Sequence, residues 1–292
     1  MNIGFMGMGR MGSRMVTHLI IDGSNDIFIY NRTKSKLQPL LSMGAKATDS
    51  PAELADRVSL LFTMLSGPEA VEEAAIGERG FLSALKENSI WVDCSTINPE
   101  FAKKMSDAAG SVGVRYVDSP VGGSLIPAQK GELEFYVGAS HNDFEAIRPV
   151  LEMMGKRVTH MGQTSMGVAM KMVHSLLLTG TMFLASEALI LGEKTGLSRQ
   201  QLLETLLQSP VSPPFLQSKR QNFESGSHHT HFALNLALND LHQIQSTAFN
   251  ADVILGATSA IKEFFACANN AGLSEKDFSS IYHFLKNPSE RQ

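Results

Sequence analysis

With 292 residues the chain is long enough for two hydrophobic cores, and 43% apolar with 18% charged residues is an ordinary globular balance. A net charge of -4, with the 25 Lys and Arg gathered in no basic block, argues against a nucleic-acid-binding protein. Cys94 and Cys267 make neither a disulfide framework nor a C-x-x-C motif, and MNIGFMG carries no basic lead or apolar signal region, so a cytoplasmic protein is expected.

Asn2 to Met6 reads as a short buried strand. It runs into Gly7-Met8-Gly9-Arg10-Met11-Gly12 and then an amphipathic helix through Val16, Leu19 and Ile20 to Gly23. That is G-x-G-x-x-G between a strand and a helix, the context in which a dinucleotide binds. Gly7 allows the tight turn, Gly9 lets a pyrophosphate approach the backbone, and Gly12 lets the helix pack closely, with its N-terminus toward the anion. A second strand, Asp26 to Tyr30, ends in Asn31-Arg32-Thr33, where an NAD-binding unit would offer a carboxylate to the ribose 2′-hydroxyl. Arg32 stands there instead and can grip a 2′-phosphate, with Asn31 and Thr33 as hydrogen-bond partners, which points to NADP (NADPH). The alternative is a plain surface arginine after a strand.

Strands keep alternating with helices. Val58 to Met64 ends in Leu65-Ser66-Gly67-Pro68, Ser89 to Asp93 ends in Cys94-Ser95-Thr96, and Arg115 to Val117 leads into Asp118-Ser119-Pro120-Val121-Gly122-Gly123. Helices are expected over Pro99 to Ala109 and Asp143 to Met153, and Glu134 to Val137 and Val158 to His160 finish the sheet. This order predicts a doubly wound parallel sheet of Rossmann type, with ligands outside the carboxyl ends of the strands. Met64, Leu65 and Ser66 are accordingly expected at the cofactor, and Ser95, Thr96 and the Gly122, Gly123 and Ser124 turn at the cofactor or a small anionic substrate. Each taken singly also reads as ordinary turn chemistry. Gly162 to Gly167 reads as a hinge, giving an α/β domain over 1–163 and a smaller all-α domain over 164–292.

The two are joined by one long helix, Ser165 to Gly196, apolar almost all the way round and so expected to be buried. Lys171, Glu187, Glu193 and Lys194 bracket its charge-free run, which is shorter than the roughly 20 residues a bilayer needs. Lys171, His174 and Ser175 share one side of it. Lys171 either serves a cavity there, snorkels to solvent or pairs with an acid. Helices are further expected over Leu202 to Leu207, Phe232 to Ala248 and Ala257 to Ala271, parted by breakers at Ser209 to Pro214 and a polar stretch, Glu224 to His231. The His228-His229-Thr230-His231 cluster has no acid or Cys at ligand spacing, so it reads as a solvated turn and no metal is expected. Aliphatic surface beyond what the few helices can cover predicts a homodimer or homotetramer.

Taken together, the glycine loop, Asn31-Arg32-Thr33, Ser95-Thr96, Asp118 to Ser124 and Lys171 make the chain resemble the β-hydroxyacid dehydrogenase family of 3-hydroxyisobutyrate dehydrogenases and NADPH-dependent semialdehyde and glyoxylate reductases. The resemblance also covers Gly131-Glu132-Leu133, Gly162 to Lys171, Ala185 to Ala188 and Phe232 to Leu241. It implies hydride transfer between NADP(H) and a small carbonyl or hydroxyacid, with Lys171 as general acid or base, and substrate contacts from Gly122, Gly123, Ser124, His174, Ser175, Phe232, Asn239 and Asp240. Several positions depart from the family pattern. Ser175 replaces a common Asn, Asn239-Asp240 a common Lys-Asp, Gly122-Gly123-Ser124 a Ser-Gly-Gly turn, and Pro127 a usual glycine. Two alternatives therefore stand beside the reductase of a small carbonyl acid. One is an NADPH-binding protein with divergent or lost chemistry; the other is a reductase of a non-carboxylate ketone or an imine, against which Lys171 weighs.

Overall fold

The computed structural model describes residues 1–225 and 230–287. The chain forms two compact units, Met1–Met172 and Val173–Gln292.

The first unit is built on one nine-stranded sheet. Its strands are β1 Asn2–Met6, β2 Asp26–Tyr30, β3 Lys46–Ala47, β4 Leu60–Thr63, β5 Ile90–Asp93, β6 Arg115–Asp118, β7 Val121–Gly122, β8 Leu133–Gly138 and β9 Gly155–Gly162. Helices α1 Gly12–Asp22, α2 Gln38–Leu41, α3 Pro51–Asp56, α4 Pro68–Ile76, α5 Pro99–Gly110, α6 Leu125–Lys130 and α7 His141–Glu152 connect them. Alternate strand residues feed two cores, one on each face. Ile3, Phe5, Leu60, Phe62, Ile90, Val92 and Val117 enter one, and Met6, Leu61, Trp91 and Tyr116 the other. Burial on both faces explains why these strands read as nearly continuous apolar runs.

The sheet is parallel in the order β3-β2-β1-β4-β5-β6. Beyond that it departs from the all-parallel expectation. β8 runs antiparallel to β6 and β7, and β9 pairs parallel with β8. The connection from Gly122 to Leu133 holds only the short α6, too little for a parallel crossover of roughly a dozen residues or more. The longer α7 supplies such a crossover from β8 to β9. An antiparallel corner thus brings the Val121–Gly122 segment beside Phe135 and Glu134.

The division between the units falls inside α8, Met166–Lys194. By length and composition alone α8 could cross a membrane. In the first unit its opening turns pack with Val168 fully buried, and in the second Met182, Phe183 and Leu189 join the core. That second core also takes Leu203, Phe223, Leu234, Leu241, Phe265 and Tyr282 from α9 Arg199–Leu206, α10 Arg220–Ser225, α11 Leu234–Asn250, α12 Gly256–Ala268 and α13 Ile281–Lys286. Leu236 and Ile254 are exposed, whereas Leu241, Ile244 and Ile261 are buried. Ile254 falls in the bend between α11 and α12, where helical periodicity no longer holds, and Leu236 sits in the first turn of α11. Of the histidine cluster, His228 and His229 lie outside the described residues. The Thr230 hydroxyl donates to the Glu275 carbonyl and the His231 amide to Asp277.

Candidate active site

The glycine loop has the form a pyrophosphate requires. Gly7 has φ +103°, and a Cβ there would lie 2.2 Å from the Met64 carbonyl oxygen. A Cβ on Gly12 would lie 2.1 Å from the Gly7 oxygen, so both positions exclude any side chain. Gly9 by contrast faces open space. The amides of Gly9, Arg10 and Met11 have no partner among the described residues, and they sit where α1 presents its positive end. Met8 is buried, and its amide donates to the Asn31 side-chain oxygen at 2.9 Å; the Asn31 amide group in turn donates to the Thr33 carbonyl at 2.9 Å. Asn31 therefore ties the glycine loop to the end of β2. Arg32 and Thr33 are exposed beside it. A groove lined by Met8, Ser13, Arg14, Lys36, Pro39 and Gln129 opens alongside. Its cations, Arg14 and Lys36, were not singled out from the sequence, because they belong to no motif weighed there.

The loops after β4 and β5 are bound together. The Leu65 amide donates to the Ser95 hydroxyl oxygen at 2.9 Å, and Ser95 is fully buried. The Ser95 amide donates to Asp93 at 3.0 Å, as does the Thr63 hydroxyl at 2.8 Å. Burial pushes the Asp93 carboxyl above its ordinary value, against the pull of the Ser95, Thr63 and Tyr116 hydrogen bonds. Ser95 thus shapes the loop, while Met64, Leu65 and Thr96 are partly exposed and Ser66 is exposed.

At the antiparallel corner, Gly123 has φ +109°, and a Cβ on Gly122 would lie 2.6 Å from the Tyr136 hydroxyl. Tyr136 was not anticipated as a neighbour of this turn, since only the strand register brings it there. A side chain at position 122 would require the Tyr136 phenol to shift. Ser124 is half-buried ahead of α6, and Pro127 packs beneath Gly123. The Lys171 side chain is buried, 9% exposed, and its Nζ donates to the Val121 carbonyl at 3.0 Å. The side chain is buried rather than extended to solvent, and it pairs with no acid among the described residues. Asp118, fully buried at the end of β6, accepts from the Ser165 amide at 2.7 Å and the Val168 amide at 2.8 Å. Burial pushes its carboxyl up to about 6, opposed by those two amides and reinforced by nearby Asp93.

In the helical unit, the Ser175 hydroxyl donates to Asp240 at 2.7 Å and both side chains are buried. Asn239 and His174 are half-buried. Phe232 lies edge-on to Phe278, ring centroids 5.4 Å apart, and packs against the core.

The NAD-binding domain of 6-phosphogluconate dehydrogenase matches residues 2–162, and the NAD-binding domain of NADP-dependent 3-hydroxyisobutyrate dehydrogenase matches residues 165–285. The chain is 32% identical to glyoxylate/succinic semialdehyde reductase 2 of Arabidopsis thaliana, over 100% of its own length and 81% of the relative's. It is 33% identical to 2-(hydroxymethyl)glutarate dehydrogenase of Eubacterium barkeri, covering 96% of this chain and 93% of that one. The solved 3-hydroxyisobutyrate dehydrogenase of Mycobacterium tuberculosis has the same fold, with a TM-score of 0.88 at 23% identity over 98% and 99% of the two chains. These similarities run through both units, and the protein belongs to the β-hydroxyacid dehydrogenase family of NAD(P)-dependent oxidoreductases acting on CH–OH and C=O groups.

Proposed function

We propose that the protein is an NADPH-dependent reductase of a small carbonyl compound, with Lys171 as the proton donor. The observation that carries this reading is the buried Lys171 ammonium, held 3.0 Å from the Val121 carbonyl at the head of the Gly122–Ser124 turn. A bound nicotinamide supplies the hydride. As negative charge develops on the carbonyl oxygen, the buried ammonium stabilises it and passes it a proton. The Gly122, Gly123 and Ser124 turn would hold the substrate's polar group. His174, Ser175, Phe232, Asn239 and Asp240 are proposed as further substrate contacts.

The preference for NADPH rests on Arg32, exposed at the end of β2 where an acid would favour NAD. Agreement comes from the relative's domain, described as that of an NADP-dependent enzyme. Asn31, bonded to both Met8 and Thr33, would hold the loop in place for that contact.

Assembly as a homodimer or homotetramer belongs to the same proposal. Val173, Leu177, Leu184 and Leu191 are 54%, 63%, 61% and 67% exposed, and at helical spacing they form one apolar stripe along α8.

A second reading, reduction of a ketone without a carboxylate, draws on the Ser175–Asp240 bond, since the Ser175 hydroxyl is already engaged with an acid and Asn239 brings no cation. The test is a panel of aldehydes, ketones and 2- and 3-oxoacids assayed with NADPH and NADH. Consumption of NADPH with a small carbonyl supports the proposal. Cofactor binding with no turnover on any member would leave a nucleotide-binding protein without this chemistry.

A further inference from the structure

A buried carboxylate, Asp118, binds the start of the helix that carries Lys171. Asp118 takes the Ser165 amide on one oxygen and the Val168 amide on the other. These are donors that the first turn of a helix leaves unsatisfied, and a carboxylate there also meets the positive end of the helix dipole. Lys171 follows Val168 by three residues, just under one helical turn, and its Nζ returns to the Val121 carbonyl, three residues beyond Asp118. The path from Asp118 through the α8 backbone to Lys171, Val121 and back along the chain is closed.

Two glycines make the close approach possible. A Cβ on Gly138 would lie 2.5 Å from an Asp118 oxygen. One on Gly167 would lie 2.3 Å from the Tyr136 carbonyl oxygen and 2.8 Å from Asp118. Ser165 itself is held at φ +80°, a conformation rarely adopted outside glycine, and its amide is one of the two that Asp118 binds. Such an arrangement persists only where its surroundings fix it.

We infer that Asp118 is the positioning residue for Lys171, setting the height of the α8 backbone so that the ammonium stands at the Val121 carbonyl. This rests on the reading of Lys171 as proton donor. Asp118→Asn keeps the shape but offers one accepting oxygen; its NH2 group would face an amide N–H. The helix start must shift, and a displacement of about 1 Å at a reacting group lowers turnover by roughly 10²-fold.

The experiment compares wild type, Asp118→Asn, Lys171→Ala and the double variant on the best substrate of the panel. Asp118→Asn should lower kcat about 10- to 100-fold with KM and NADPH affinity within about twofold. In the Lys171→Ala background the same change should matter by less than about twofold, because the group it positions is gone. A kcat for Asp118→Asn within about threefold of wild type, or a loss that persists undiminished without Lys171, overturns the inference. If Lys171→Ala keeps its turnover, the proton-donor reading fails first and this one with it. Should Asp118→Asn not fold by circular dichroism, Gly167→Ala moves the same helix turn off the carboxylate and must give the same kcat-selective loss; normal kcat in that variant counts against the inference.

Discussion

The Ser175 hydroxyl donates to Asp240 at 2.7 Å, linking α8 to α11 within the core of the helical unit. Both side chains are buried. Ser175→Ala is expected to lower stability by about 1–3 kcal/mol through loss of this buried, charge-assisted hydrogen bond. Chemical denaturation checks this, and an unchanged midpoint and slope would show that the bond adds nothing to stability.

Arg32 sets a second expectation. Arg32→Ala should weaken NADPH binding about 10- to 100-fold, the weight of a charge-assisted contact to a phosphate, and leave NADH nearly untouched. Titration calorimetry with both cofactors measures it. Equal affinity of the wild-type protein for the two would remove the basis for an NADP assignment.

Glu193 links stability to pH. One of its carboxylate oxygens accepts from Arg199 at 2.6 Å and Tyr282 at 2.8 Å, the other from Lys286 at 2.5 Å. Burial pushes this carboxyl up, but the hydrogen bonds from Lys286, Arg199 and Tyr282 outweigh it and hold the group at about 2, below an ordinary 4.5. A depressed value means that the unfolded chain takes up the proton first as pH falls. The stabilisation is therefore complete above about pH 5 and lost between there and about pH 2, on the order of 2 kcal/mol after allowance for solvent screening. The stability gap between wild type and Glu193→Gln should shrink across that window. A gap constant from pH 5 to pH 2 would assign Glu193 no such role.

The exposed stripe on α8 yields a prediction about assembly. Placing charge on it, as in Leu177→Glu with Leu184→Glu, should convert an oligomer to monomers in sedimentation experiments. A wild-type protein that sediments as a monomer at micromolar concentration would mean that the stripe is covered in some other way or not at all.

The alternation of strands and helices was legible because apolar runs and turn residues are local signals. Gly7, Gly9 and Gly12 were legible for the same reason, as one short run; a side chain has no room at Gly7 or Gly12, while Gly9 faces open space. The antiparallel corner was not. β7 has only two residues, and its pairing with β8 is set by the shortness of the connection rather than by any pattern. Asp118 gave no sign of its amide partners, which lie 47 and 50 residues ahead. The buried Lys219–Asp277 pair, at 2.8 Å and 58 residues apart, escaped notice likewise. Lys171 stood out as a charge in an apolar helix, yet its carbonyl partner on Val121 could be found only once the chain was folded.

If Lys171 supplies the proton, Lys171→Ala removes it. A fall in kcat of about 10²- to 10⁴-fold on the best substrate of the panel is then expected, the usual weight of one acid-base group, with NADPH affinity close to wild type. Turnover within a few-fold of wild type would make the lysine structural and contradict the mechanism.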